Sequence, residues 1–189
     1  DDYAASLASA AAGAVGFKSI AAYRFGLDIP ETAPDVAAVE DAAGRWLRAA
    51  ETSGSYRVDD PVLLTHLVWA AIPHRKPIQF HVGFGDSDLV LHRSDPSRLT
   101  RFLAATRESG ASFVLLHCYP FIRESGSLAH SFPHVYLDVG EVTHYLGPSA
   151  RVAIRQSMEI APFSKILYSS DAYGLAEHYA VSAHSWRRE

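Results

Sequence analysis

Cysteine occurs once in these 189 residues, as Cys118, so no intramolecular disulfide framework holds the chain together. No apolar run approaches the roughly 18 residues that a membrane-spanning helix needs. The alanine-rich opening carries no basic stretch, so it does not read as a signal peptide. Positive charge is not in excess: 17 Lys and Arg against 21 Asp and Glu leave a net charge of -4. With a pI near 6.2, the chain has no general electrostatic pull toward nucleic acid or an anionic membrane. Gly83 and Gly85 match neither a dinucleotide fingerprint nor a P-loop. A cytoplasmic location fits these absences.

At 48% apolar and 20% charged, the composition is globular and sufficient for one core. No low-complexity linker divides the chain, so one domain is expected. Asp1 to Ala12 reads as the end of a helix and Val15 to Tyr23 as a strand. Asp35 caps a helix to Ser53, and Asp60 with Pro61 opens another to His74. Four more βα alternations follow. Strands are expected at Pro77–Val82, Ser112–Leu116, Val135–Val139 and Ile166–Ser169. Helices are expected at Pro96–Ser109 behind Asp95, within Phe121–Phe132, at Ser149–Ala161 and from about Glu177. Five short apolar strands alternating with helices mark parallel βα units. Such units form either an open doubly wound sheet or part of a barrel, and periodicity does not choose.

Three polar residues close apolar runs: His81 after PIQF, His117 after SFVLL and Asp171 after KILYSS. In parallel α/β folds the carboxyl ends of the strands share one face, and that face carries the site. Two imidazoles and a carboxylate there point to metal-centred hydrolysis. Each has a plainer reading. His81 is a metal ligand or a histidine bonded to nearby backbone. His117 is a second ligand, a general acid/base, or a partly buried imidazole. Asp171 is a ligand and proton acceptor, or a helix cap. Cys118 reads as a small buried hydrophobe rather than a nucleophile. Lys18, mid-strand in GFKSI, binds a substrate carboxylate, bridges metals as a carbamate, or points to solvent. Tyr23 and Arg24 follow at the expected strand end, and Arg24 suits either a substrate carboxylate or a surface ion pair. Glu141 and His144 are at most substrate-facing. His178 and His184 fall on the terminal helix and read as surface residues.

Taken in order, GFKSIAAYRFGLDI, PIQFHVGFGDSD, LLHCYPFIRE, VYLDVGE and ILYSSDAYG resemble the amidohydrolase-2 group of the amidohydrolase superfamily. The likeness is to its glutamine-synthetase-linked, FluG-type branch. It implies a (β/α)8 TIM barrel of which this chain holds strands four to eight. It further implies that His81, His117 and Asp171 bind a divalent metal, with Asp171 and His117 catalytic and Lys18, Tyr23 and Arg24 binding substrate. Zinc is the expected metal, with manganese or iron as alternatives. The implied reaction is hydrolysis of an amide-like bond in a small acidic substrate, with a γ-glutamyl amide as one candidate. The alternatives are a non-oxidative decarboxylase and a non-catalytic barrel serving as a scaffold. A homo-oligomer and a glutamine-synthetase-like partner are further expectations. The family draws its first two ligands from a His-x-His pair, which this sequence lacks. Residues 1–189 are therefore expected to be a carboxyl-terminal portion that alone holds metal weakly. Stoichiometric zinc binding by this piece at micromolar affinity or better would refute that expectation.

Overall fold

The structure, a computed structural model, describes residues 2–189; Asp1 lies outside them. The chain opens with helix α1 (Asp2–Gly13), strand β1 (Phe17–Ser19) and a helical turn, α2 (Ala21–Arg24). Helices α3 (Val36–Ser53) and α4 (Pro61–Ala71) lead to β2 (Ile78–Val82). Then come α5 (Thr100–Ala105), β3 (Phe113–His117), α6 (Ile122–Ser131) and β4 (Val135–Asp138). The chain ends with α7 (Val142–Tyr145), α8 (Ala150–Ser157), β5 (Ile166–Leu167) and α9 (Ala176–Arg188). Among the described residues, no helix is long and apolar enough to cross a membrane.

Local chemistry sets the helix starts. Asp35 accepts a hydrogen bond from the amide of Ala38, and Asp60 accepts from Val62 and Leu63. Asp95 accepts from Ser97, but a 3-10 turn (Pro96–Leu99) precedes α5, which ends at Ala105. The expected strand Val15–Tyr23 is a correction. Pairing of β1 with β2 stops at Ser19, opposite Phe80. The Ser19 hydroxyl then accepts from the amide of Ala21 and turns the chain into α2. Tyr23 and Arg24 therefore project from a helical turn beyond the strand. The last strand is also shorter than expected, with Asp171 four residues past its end.

All five strands are parallel and lie in the order β1-β2-β3-β4-β5. A doubly wound sheet reverses its strand order at a switch point. This sheet never does, so right-handed crossovers place its connecting helices on one face. The arrangement is a parallel α/β sheet consistent with part of a (β/α)8 barrel.

Register divides the side chains between the two faces. Ile78, Phe80, Val82, Phe113, Leu115, Val135 and Leu137 pack into the core with Leu99, Phe102, Leu103, Ile122 and Ile154 from the helical layer. Phe102 stands edge-on to both Phe80 and Phe113, at 6.0 and 5.1 Å between centroids. Full burial of such a ring contributes about 1.5–3 kcal/mol. The opposite face presents Lys18, Gln79, Val114, Leu116, Asp138 and Leu167 to a cavity of about 300 Å³.

At the amino edge, His134 is held between Phe113 and Phe132, and burial lowers its pKa. The folded state thus disfavours the imidazolium. As pH falls below the ordinary histidine value of about 6.5, the unfolded chain takes up this proton first and stability declines. His134→Leu is expected to flatten that acid limb in urea unfolding measured between pH 5 and 7. An unchanged slope would refute the assignment.

Candidate metal centre

Three ligand-bearing side chains meet above the carboxyl ends of β3, β4 and β5. His117 Nδ1 lies 3.7 Å from Glu141 Oε2 and 3.5 Å from Asp171 Oδ2. The three donor atoms lie within 4.8 Å of one another. These separations are long for hydrogen bonds. They suit a shared ion: two donors each about 2.1 Å from a tetrahedral metal stand about 3.4 Å apart. His117 Nδ1 is buried without a hydrogen-bond partner among the described residues, as is His81 Nε2. The His81 ring lies 4.6 Å from that of His117 but outside the three-donor group.

The backbone beneath these donors is unusual. Glycines aside, the described residues with positive φ are Arg75, His117, Cys118, Glu141 and Asp171. All three donors are among them. His117 (φ 67°) is the middle residue of a three-residue turn in which the Cys118 amide donates to the Leu116 carbonyl. Glu141 (φ 60°, ψ -58°) is the middle of another, closed from Val142 to Gly140. This γ-turn is rare and strained, and such conformations cost about 1–3 kcal/mol each.

The strain has a use. His117 shares its strand parity with Phe113 and Leu115, which face the helices. The left-handed backbone carries its ring to the cavity instead. Cys118 goes the other way, fully buried in the core. Burial, then the charge of Asp138, pushes its thiol up, so it is no nucleophile.

One polar cavity of about 360 Å³ collects all six site residues expected from the sequence. Lys18, Tyr23, Arg24, His81, His117 and Asp171 line it, joined by Glu141, Asp86 and Asp88. Tyr23 packs on His81 at 4.5 Å between centroids. Arg24 also faces Asp88 at 3.8 Å, which is the ion pair expected as its alternative role. Lys18 is exposed beside the donors. Glu141, expected at most to face substrate, joins the donor group. His178, expected at the surface, is half-buried and stacks on His144 at 4.6 Å. Asp138 gives no sequence signal because it sits inside an apolar run.

Electrostatics follow from burial. Burial, then His81 and Lys18, lowers His117 to about 3, so its ring is neutral at pH 7. Burial, then Asp171 and Asp86, raises Glu141 to about 7. Burial raises Asp138 to about 6 against two backbone amides that favour its charge. A neutral imidazole beside Glu141, whose ionisation burial and Asp171 disfavour, is a donor set that a divalent cation would relieve.

A sequence model of the family described as Amidohydrolase matches residues 7–188. The chain belongs to the amidohydrolase family. This amidohydrolase chain is 36% identical over 185 residues to Protein fluG of Emericella nidulans, covering 92% of this chain and 21% of that protein. The assignment is therefore of FluG type. It is also similar to a crystal structure from Lactobacillus casei ATCC 334 described as that of a metal-dependent hydrolase. That likeness has a TM-score of 0.88 at 32% identity and covers 99% of this chain and 50% of the other. The chain thus spans about a fifth of the one relative and half of the other.

The loop after β2 is pinned against the loop after β3. Gly83 has φ +72°, and a Cβ there would lie 2.0 Å from the Tyr119 carbonyl oxygen. Gly54 has the same φ but open space around it. Gly83→Ala is expected to destabilise by more than about 1 kcal/mol, and by more than Gly54→Ala. Thermal melts of both variants check this, and equal losses would show that the clash at Gly83 is relieved.

Proposed function

We propose that this chain carries the metal- and substrate-binding face of an enzyme that hydrolyses an amide-like C–N bond in a small acidic substrate. The observation that carries this reading is the convergence of His117 Nδ1 with Glu141 and Asp171 in the cavity lined by Lys18, Tyr23 and Arg24. His117, Asp171 and Glu141 would hold a divalent ion, with His81 beside them. Zinc suits imidazole and carboxylate donors best, with manganese or iron as alternatives. When bound, such an ion polarises a carbonyl and makes water acidic.

The remaining roles belong to the chain's own groups. Asp171, with its side chain about half exposed, takes a proton from the attacking water and returns it to the leaving nitrogen as the C–N bond breaks. His117, kept neutral by burial, acts as a ligand rather than an acid. Lys18 and Arg24 supply positive charge for a substrate carboxylate. Arg24 shares its charge with Asp88, so Lys18 is the stronger candidate. Tyr23, packed on His81, orients the substrate beside them. Resemblance to the glutamine-synthetase-linked branch makes a γ-glutamyl amide the first substrate to try.

The full-length gene product, purified without chelator, is expected to carry about one or two equivalents of zinc, manganese or iron. Chelation should abolish amide hydrolysis, and zinc should restore it. Asp171→Asn is expected to lose turnover by about 10²–10⁴-fold. Near-wild-type turnover in that variant would refute the proton-transfer role. Release of carbon dioxide in place of amine would make the enzyme a decarboxylase. Absence of metal even with excess ion would leave a scaffold.

A further inference from the structure

Asp138 closes β4 with a side chain that is almost fully buried. Its Oδ1 accepts two backbone hydrogen bonds, from His117 at 2.8 Å and from Gly140 at 2.9 Å. The first amide belongs to the middle residue of one left-handed turn. The second immediately precedes the middle residue, Glu141, of the other. One oxygen atom therefore ties together the two strained turns that aim His117 and Glu141. The approach is close: a Cβ on Gly140 would lie 3.2 Å from Asp138 Oδ1 and 2.7 Å from Ser169 Oγ. Asp138 itself is outside the three-donor group.

We infer that Asp138 is a positioning residue that sets the spacing of His117 and Glu141 through their backbones; this rests on the metal-binding reading of those residues. Without the acceptor, two buried amides lose their partner and both turns are free to relax. The donor atoms then separate. The role requires an acceptor oxygen at this point rather than a negative charge, so asparagine can fill it.

The test compares wild type, Asp138→Asn and Asp138→Ala in the full-length gene product. Zinc affinity is measured by competition with a chromophoric chelator. Amide hydrogen exchange is followed in peptides spanning residues 117–118 and 140–142. Asp138→Ala is expected to bind zinc about 10–100-fold more weakly and to exchange faster at both turns, while Asp138→Asn stays within about threefold of wild type. If the alanine variant fails to fold, Asp138→Leu replaces it, filling the space without an acceptor. Equal loss of zinc affinity in the asparagine variant would overturn the inference, because charge and not acceptance would then be needed. A lowered melting temperature with zinc affinity and exchange unchanged would also overturn it, because the residue would then be merely structural. If wild type binds no zinc, the metal reading falls, and exchange alone decides the clamp. Faster exchange in the acceptor-free variant but not in Asp138→Asn supports it, and no difference overturns it.

Discussion

Buried backbone amides need partners, and at the carboxyl edge of this sheet the strands stop supplying them. The Asp138 carboxylate answers part of that demand, holding the amides of His117 and Gly140. Neighbouring loops answer the rest. The Gly83 amide donates to the Ser94 carbonyl, Phe84 to Tyr119, and Glu141 to Ser170. The segments after β2, β3, β4 and β5 are thereby tied each to the next. A left-handed backbone at a non-glycine residue persists only where its surroundings over-determine it. Here the cross-links do so, and the strained positions are the ones that bear the converging side chains.

The same edge carries an unresolved electrostatic tension. Glu141 and Asp171 face Nδ1 of an imidazole that burial keeps uncharged. Protonating His117 would satisfy the carboxylates but put charge on a buried ring beside His81 and Lys18. Leaving it neutral gives the carboxylates no counter-charge at that atom. A group that binds lone pairs and brings positive charge meets both needs, which a proton on His117 does not. Family membership and likeness to a metal-dependent hydrolase come from outside the site and point the same way.

Much of the fold was legible because its determinants are local. Asp35, Asp60 and Asp95 cap within a few residues of themselves, and apolar runs mark β2, β3 and β4 closely. His81, His117 and Asp171 stood out because a polar residue ending such a run has few structural reasons to be there. Glu141 gives a weak sequence signal because its spacing from the strand is undistinctive, and its place depends on a turn that periodicity does not reveal. Asp138 lies within the run VYLDV, where a buried carboxylate leaves no pattern. The helical turn α2 carries a strand-like pattern because Ile20, Ala21 and Ala22 prolong an apolar run whose pairing ends at Ser19.

The sequence by itself determined the alternation of strand and helix, the starts of α3 and α4 and which residues stand at the carboxyl edge. Each follows from side-chain period and short-range hydrogen bonding. Only the tertiary structure decided that the strands add in unbroken order, that His117 turns away from the face its parity assigns, and that Glu141 meets it. Those outcomes depend on contacts between residues about 20 or more apart, as between Asp138 and His117. No local pattern records which amide a buried carboxylate will hold.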